Sequence, residues 1–191
     1  WPGVKRSEQP HARIRSTDTE GALAIPGVVA VLTHKDIKGS NRLGIFEKDQ
    51  PILADERVRH YGDAVALLVA ERKEVLAAAM AAVRVKYEAL PALFDPAIAQ
   101  ATDSPVLHPQ RPAGNLLIGG EIRCGDAAAA LTQTAYQVTL AVSTGWQEHA
   151  FLETQAGVAQ LESDGMLTMT VSTQTPFRDR LELAEAIGVS P

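Results

Sequence analysis

Apolar and polar positions alternate differently in the two halves of the chain. In the first half, Val28-Val29-Ala30-Val31-Leu32-Thr33 is a β-branched run behind the turn signal Pro26-Gly27, which predicts a buried strand. Residues 12–15 predict a short extended segment, and residues 34–37 add a helical turn. Residues 64–70 (Ala-Val-Ala-Leu-Leu-Val-Ala) are continuously apolar at strand length. Residues 73–82 are rich in alanine and other strong helix formers, which predicts a helix. Residues 83–88 (Val-Arg-Val-Lys-Tyr-Glu) alternate strictly, as a half-exposed strand does. Strand, helix and strand in close succession predict a compact α/β domain, closed by Leu90-Pro91.

Two segments break this periodicity. Residues 38–56 carry Gly39, Ser40, Asn41, Gly44 and the turn signal Asp49-Gln50-Pro51, and predict a loop long enough to serve a function. Residues 95–115 carry Pro96, Pro105, Pro109 and Pro112, and predict a linker or surface crossing. The chain therefore reads as a first domain over residues 1–95, a linker over 96–113, and the beginning of a second domain over 114–191.

In the second half, residues 125–132 predict a short helix and residues 136–142 a strand. Residues 152–161 and 166–172 flank Ser163-Asp164-Gly165, a hairpin signal. Thr175 then precedes Pro176 as the cap of a helix that Gly188 ends.

Composition is that of an ordinary globular chain, 191 residues with 46% hydrophobic and 21% charged positions. A net charge of -5 without a lysine and arginine cluster argues against nucleic acid as a partner. No apolar run reaches the ~18 residues of a membrane span. Cys124 is the only cysteine, too few for a disulfide, a zinc site or an iron-sulfur cage, and it fits a reducing, cytoplasmic compartment. Without an initiator Met, and with Pro191 just after a predicted helix, the chain is expected to be cut at both ends.

Nothing resembles a phosphate-binding glycine loop or a nucleophile elbow, and no two of the five histidines have metal-ligand spacing. Two polar phrases remain. Gln147, Glu148 and His149 stand before an apolar stretch, where they either hydrogen-bond a polar cofactor or form the solvated approach to a strand. Gln174 lies between a strand end and a helix start, where it either offers its amide to a ligand or belongs to plain capping.

Several phrases in order resemble those of the xanthine dehydrogenase and aldehyde oxidase family of molybdenum hydroxylases. Gln9-Pro10-His11-Ala12-Arg13-Ile14 is similar to the family's S-P-H-A-x-A-R-I, with Gln9 where serine is usual. Residues 26–33 with Asp36-Ile37 resemble P-G-V-x-A-V-x-T-x-x-D-I, and Asp49-Gln50-Pro51-Ile52-Leu53-Ala54 resembles D-x-P-x-L-A. Tyr61-Gly62-Asp63-Ala64-Val65-Ala66 and residues 85–91 follow, then Gly125-Asp126, residues 147–153 and residues 172–176. The resemblance implies an α+β chain: an α/β hammerhead domain, then the incomplete start of a mixed α/β molybdopterin-binding domain.

It also implies a chemistry, the hydroxylation of purines, N-heterocycles or aldehydes with water as the oxygen source. Molybdopterin carries the reaction, and electrons leave through iron-sulfur clusters and FAD on partner subunits or domains. Gln174 then corresponds to the glutamine whose amide approaches a molybdenum oxo ligand, with Gln147, Glu148 and His149 in support. The family's later glycine-rich phrase and its general-base glutamate are not among these residues. The chain alone is therefore expected to hold no catalytic residue, no metal ligand and no cofactor, and to be inactive. It is also expected to associate into oligomers through apolar surface. The alternative is a free-standing truncated paralogue acting as a non-catalytic assembly or interaction module.

Overall fold

The computed structural model describes residues 1–153 and 156–191, and these residues fall into two compact units, Trp1–Leu117 with Thr175–Pro191, and Ile118–Gln174. The first unit holds eight strands: β1 (Pro2–Arg6), β2 (Ala12–Asp18), β3 (Val28–Leu32), β4 (Arg42–Leu43), β5 (Gln50–Pro51), β6 (Arg57–Val58), β7 (Ala64–Ala70) and β8 (Arg84–Ala89). Its helices are α1 (Glu20–Leu23), α2 (Lys73–Ala82), α3 (Pro96–Ala99) and α5 (Pro176–Ile187). The second unit holds α4 (Ala127–Gln133), β9 (Gly157–Leu161) and β10 (Leu167–Val171).

β7 and α2 lie where the apolar run and the alanine-rich stretch predict them. Every strand pairing is antiparallel. One sheet runs β1-β7-β3 and another β6-β2-β8, so the neighbours β7 and β8 join different sheets. The continuous apolar character of β7 follows from its place in the middle of a sheet with both faces covered. Ala66, Leu68 and Ala70 point into a cluster with Ala22, Leu76, Ala79 and Val83, against α1 and α2. Val65, on the other face, joins Ala12 and Val58 from the second sheet and Ala54 from the segment before β6. β1 has no counterpart in the sequence expectations. It forms because β7 offers it an unpaired edge, with Val4 opposite Leu67.

The segment 38–56, expected as loop, contains the short β4–β5 pair and is tied down from within. The Asn41 side chain accepts from the Leu53 N–H (3.0 Å) and donates to the Leu53 carbonyl (2.8 Å). It also receives α5. The Gly39 N–H donates to the Ala186 carbonyl and the Ser40 N–H to the Glu185 carbonyl, each at 2.9 Å. These bonds satisfy carbonyls that the end of α5 leaves without helical partners. Lys48 pairs with Glu185 beside them. Gly188 ends α5 in the left-handed conformation, φ 75°, as the sequence predicts.

Two expectations fail in the second unit. Residues 136–142 form no strand, and Tyr136, Val138, Leu140 and Val142 are 91, 81, 79 and 84% exposed. Their period-two pattern is that of a strand, but a strand needs a ladder partner, and none of the described residues supplies one. The strand expected over residues 152–161 shortens to Gly157–Leu161, with residues 154–155 outside the described ones. The hairpin around Ser163-Asp164-Gly165 is present, closed by Glu162 N–H to Met166 O at 2.8 Å. α4 is capped by Asp126, whose carboxylate accepts from the Ala129 N–H at 2.9 Å.

Candidate functional site

Gln174 lies in the bend after β10 and directly before Thr175, and its side chain is exposed. Its neighbours Ser172, Thr173, Thr175 and Pro176 are uncharged, so the carboxamide offers a donor and an acceptor without a local charge. Thr175 occupies the N-cap position of α5, but its hydroxyl does not accept from a helix N–H. It donates to the Asp179 carboxylate at 3.2 Å, and Asp179 places a negative charge in the first helical turn. The expected side-chain cap is thus replaced by a hydroxyl-to-carboxylate bond.

Gln147, Glu148 and His149 lie in irregular, exposed backbone. The Glu148 carboxylate accepts from the His149 N–H at 3.0 Å, and Ala150 follows with φ 46°. The expected approach to an apolar strand is absent, because residues 150–153 are irregular and Phe151 and Leu152 are exposed. No hydrogen bond or ion pair joins Gln174 to these three residues among the described ones. The structure places the four expected site residues in the same unit without linking them.

A denser polar cluster lies in the first unit, and the sequence reading missed it. Asp49, 10% exposed, pairs with Arg111, and its Oδ2 stands 2.9 Å from Nδ1 of His108. The Gln110 amide reaches the same oxygen at 3.4 Å. Burial, aided by the Arg111 charge, lowers the His108 pKa below its ordinary value, and the attraction of Asp49 does not offset this. Arg59 donates through Nε to the Leu107 carbonyl at 3.0 Å, and its backbone N–H donates to Asp63 at 2.6 Å. Arg42 donates to Asp55 at 2.5 Å and to the Asn41 carbonyl at 2.9 Å. Burial alone would raise the Asp55 carboxyl, but the bonds from Arg42 and the Glu56 N–H hold it below the usual range.

These side chains border a cleft of about 300 Å³ lined by Arg42, Lys48, Asp49, Glu56, Arg57, Arg59, Pro109 and Gln110. The cluster escaped the sequence reading because Asp49 and His108 come together only through folding of distant segments. The one signal was the presence of Asp49 in a recognisable phrase inside a segment too long for an idle loop.

Among the described residues, no group of three or more His, Cys, Asp or Glu side chains is arranged to hold a metal ion. The Gln174 carboxamide has a different capacity, donation of an N–H to an oxygen acceptor without adding charge. It has that capacity because it is exposed, neutral and adjacent to uncharged side chains. No helix of the described residues is long and apolar enough to cross a membrane.

Comparison with known proteins gives matches along nearly the whole chain. Residues 3–91 match the family described as aldehyde oxidase and xanthine dehydrogenase, a/b hammerhead domain. Residues 107–191 match the molybdopterin cofactor-binding domain. The nicotinate dehydrogenase large molybdopterin subunit of Eubacterium barkeri is 42% identical over 99% of this chain and 44% of its own length. A probable xanthine dehydrogenase subunit of Bacillus subtilis is 38% identical over 97% of this chain and 25% of its own. The solved aldehyde oxidoreductase from Desulfovibrio gigas superposes with a TM-score of 0.86 at 30% identity, covering 100% of this chain and 22% of that one. The chain thus spans less than half the length of the relatives it matches.

Proposed function

The chain belongs to the aldehyde oxidase and xanthine dehydrogenase family, and from that membership we propose that it serves as part of the molybdenum-cofactor subunit of a hydroxylase. Its fold is α+β, a hammerhead domain followed by the start of a molybdopterin-binding domain. The proposed reaction is hydroxylation of an N-heterocycle, purine or aldehyde with water as the oxygen source. The relatives' names include nicotinate and xanthine dehydrogenases and an aldehyde oxidoreductase, which supports this range of substrates. The subunit works with iron-sulfur and FAD subunits or domains, in the cytoplasm.

When bound, the cofactor supplies the two-electron redox chemistry. The residues of this chain orient and hydrogen-bond. Gln174 donates its carboxamide N–H toward an oxo ligand of the cofactor, steadying it without adding charge. Gln147, Glu148 and His149 support that site through hydrogen bonds. General-base catalysis and most of the cofactor cradle come from residues beyond this chain, so the 191-residue piece is inactive by itself.

The observation that carries this reading is the exposed, neutral carboxamide of Gln174 between β10 and α5, in a chain matched along its length to this family. In the full-length polypeptide, Gln174→Ala is expected to cut turnover roughly tenfold or more, since one aligned donor in a dry site contributes on the order of 1–4 kcal/mol. Melting temperature and molybdenum content should stay at the unsubstituted values. Gln174→Glu, which keeps the length and loses the N–H donor, should behave alike. Unchanged turnover in both variants would return Gln174 to the helix approach. Absence of molybdenum from the full-length protein under molybdate-replete expression would remove the hydroxylase reading itself.

A further inference from the structure

The cleft beside the Asp49 cluster holds guanidinium donors that the fold leaves without acceptors. Three of its charged walls are paired internally: Arg42 with Asp55, Lys48 with Glu185, and Asp49 with Arg111. Arg57, Arg59 and Glu56 remain. Among the described residues, the Arg57 side chain has no hydrogen-bond or ion-pair partner, and the Arg59 side chain uses only Nε, leaving both of its Nη groups. The cleft therefore holds two half-buried guanidinium groups whose Nη donors meet no acceptor among the described residues.

The fold places these donors and does not let them separate. β6 is anchored by Val58, which is fully buried, and Arg57 within it and Arg59 just after it both line the cleft. Arg13 of β2 stands directly opposite Arg57 in the ladder, where like charges repel. Arg59 is fixed by its bond to Leu107, and its pKa is lowered, first by burial and then by the Arg57 charge, against the opposing attraction of Asp63, Asp49 and Asp55. An anion in the cleft relieves both the repulsion and the unmet donors.

We propose that this cleft is a binding site for a carboxylate, held by the guanidinium groups of Arg57 and Arg59. The two oxygens of a carboxylate suit the planar, forked donors of arginine. Neither the hydroxylase reading nor Gln174 enters this assignment, since every residue in it belongs to the first unit.

The test is a titration of the protein with sodium benzoate at low ionic strength, followed through the arginine Nε–H resonances by ¹⁵N NMR. Saturable shifts of Arg57 and Arg59 are expected with benzoate and none with benzamide, its neutral counterpart. Arg57→Gln should weaken binding tenfold or more, while Arg84→Gln, an exposed arginine on β8, should leave it unchanged. Absence of saturable shifts, equal shifts with benzamide, or unaltered affinity in Arg57→Gln would each overturn the assignment.

Discussion

Gly39 has no side chain because there is no room for one. A Cβ built there would fall far inside contact distance of the Glu185 carbonyl oxygen, a backbone atom that cannot swing away. The contact exists because the Gly39 and Ser40 N–H groups reach the last carbonyls of α5 at hydrogen-bonding distance. Gly39→Ala is expected to push the 38–40 segment off the helix end and cost about 1–3 kcal/mol, the usual range for forcing an extra carbon into a packed site. Thermal unfolding should show the loss, and amide exchange should quicken over residues 184–189. An unchanged melting temperature would mean that the segment slides without cost.

At the scale of elements, the Asp49 cluster ties the 107–111 segment to the strands around residues 42–59, and the tie depends on pH. The His108 pKa is lowered from its ordinary 6.5. The unfolded chain therefore takes up that proton before the folded one does. By linkage, the stabilisation is full above pH 6.5 and is lost as pH falls through the folded value. Asp55, depressed below 3.8, gives a loss of the same sign at more acid pH. The melting temperature is expected to fall between pH 7 and 5, and His108→Gln should flatten that part of the curve. A slope in that window that survives the substitution would assign it to another group.

Across the whole molecule, apolar side chains are unevenly covered. The first unit encloses two clusters around β7. In the second unit Tyr136, Val138, Leu140, Val142 and Trp146 are exposed, along with Phe151 and Leu152. Exposed apolar surface of this kind drives association. Self-association of the 191-residue chain that rises with concentration is expected in light scattering. The double substitution Val138→Glu with Leu140→Glu should reduce it. A monomer at all concentrations, or association indifferent to the charges, would count against this.

Local pattern alone determined the elements whose energetics are local or whose burial is complete. The apolar run of β7, the alanine-rich α2 and the Thr175-to-Gly188 bounds of α5 were all legible, since propensity, capping and burial write themselves into adjacent residues. The ordered phrases carried the family and pointed to Gln174. Tertiary structure decided the rest. β1 exists because β7 has an open edge, β7 and β8 part into separate sheets, and residues 136–142 stay unpaired for want of a ladder. The half-buried Asp49–Arg111–His108 cluster and the unmet donors of Arg57 and Arg59 belong here too. Each depends on groups distant in sequence meeting in space, and the pairing of a strand or a charge leaves no mark on the residues beside it.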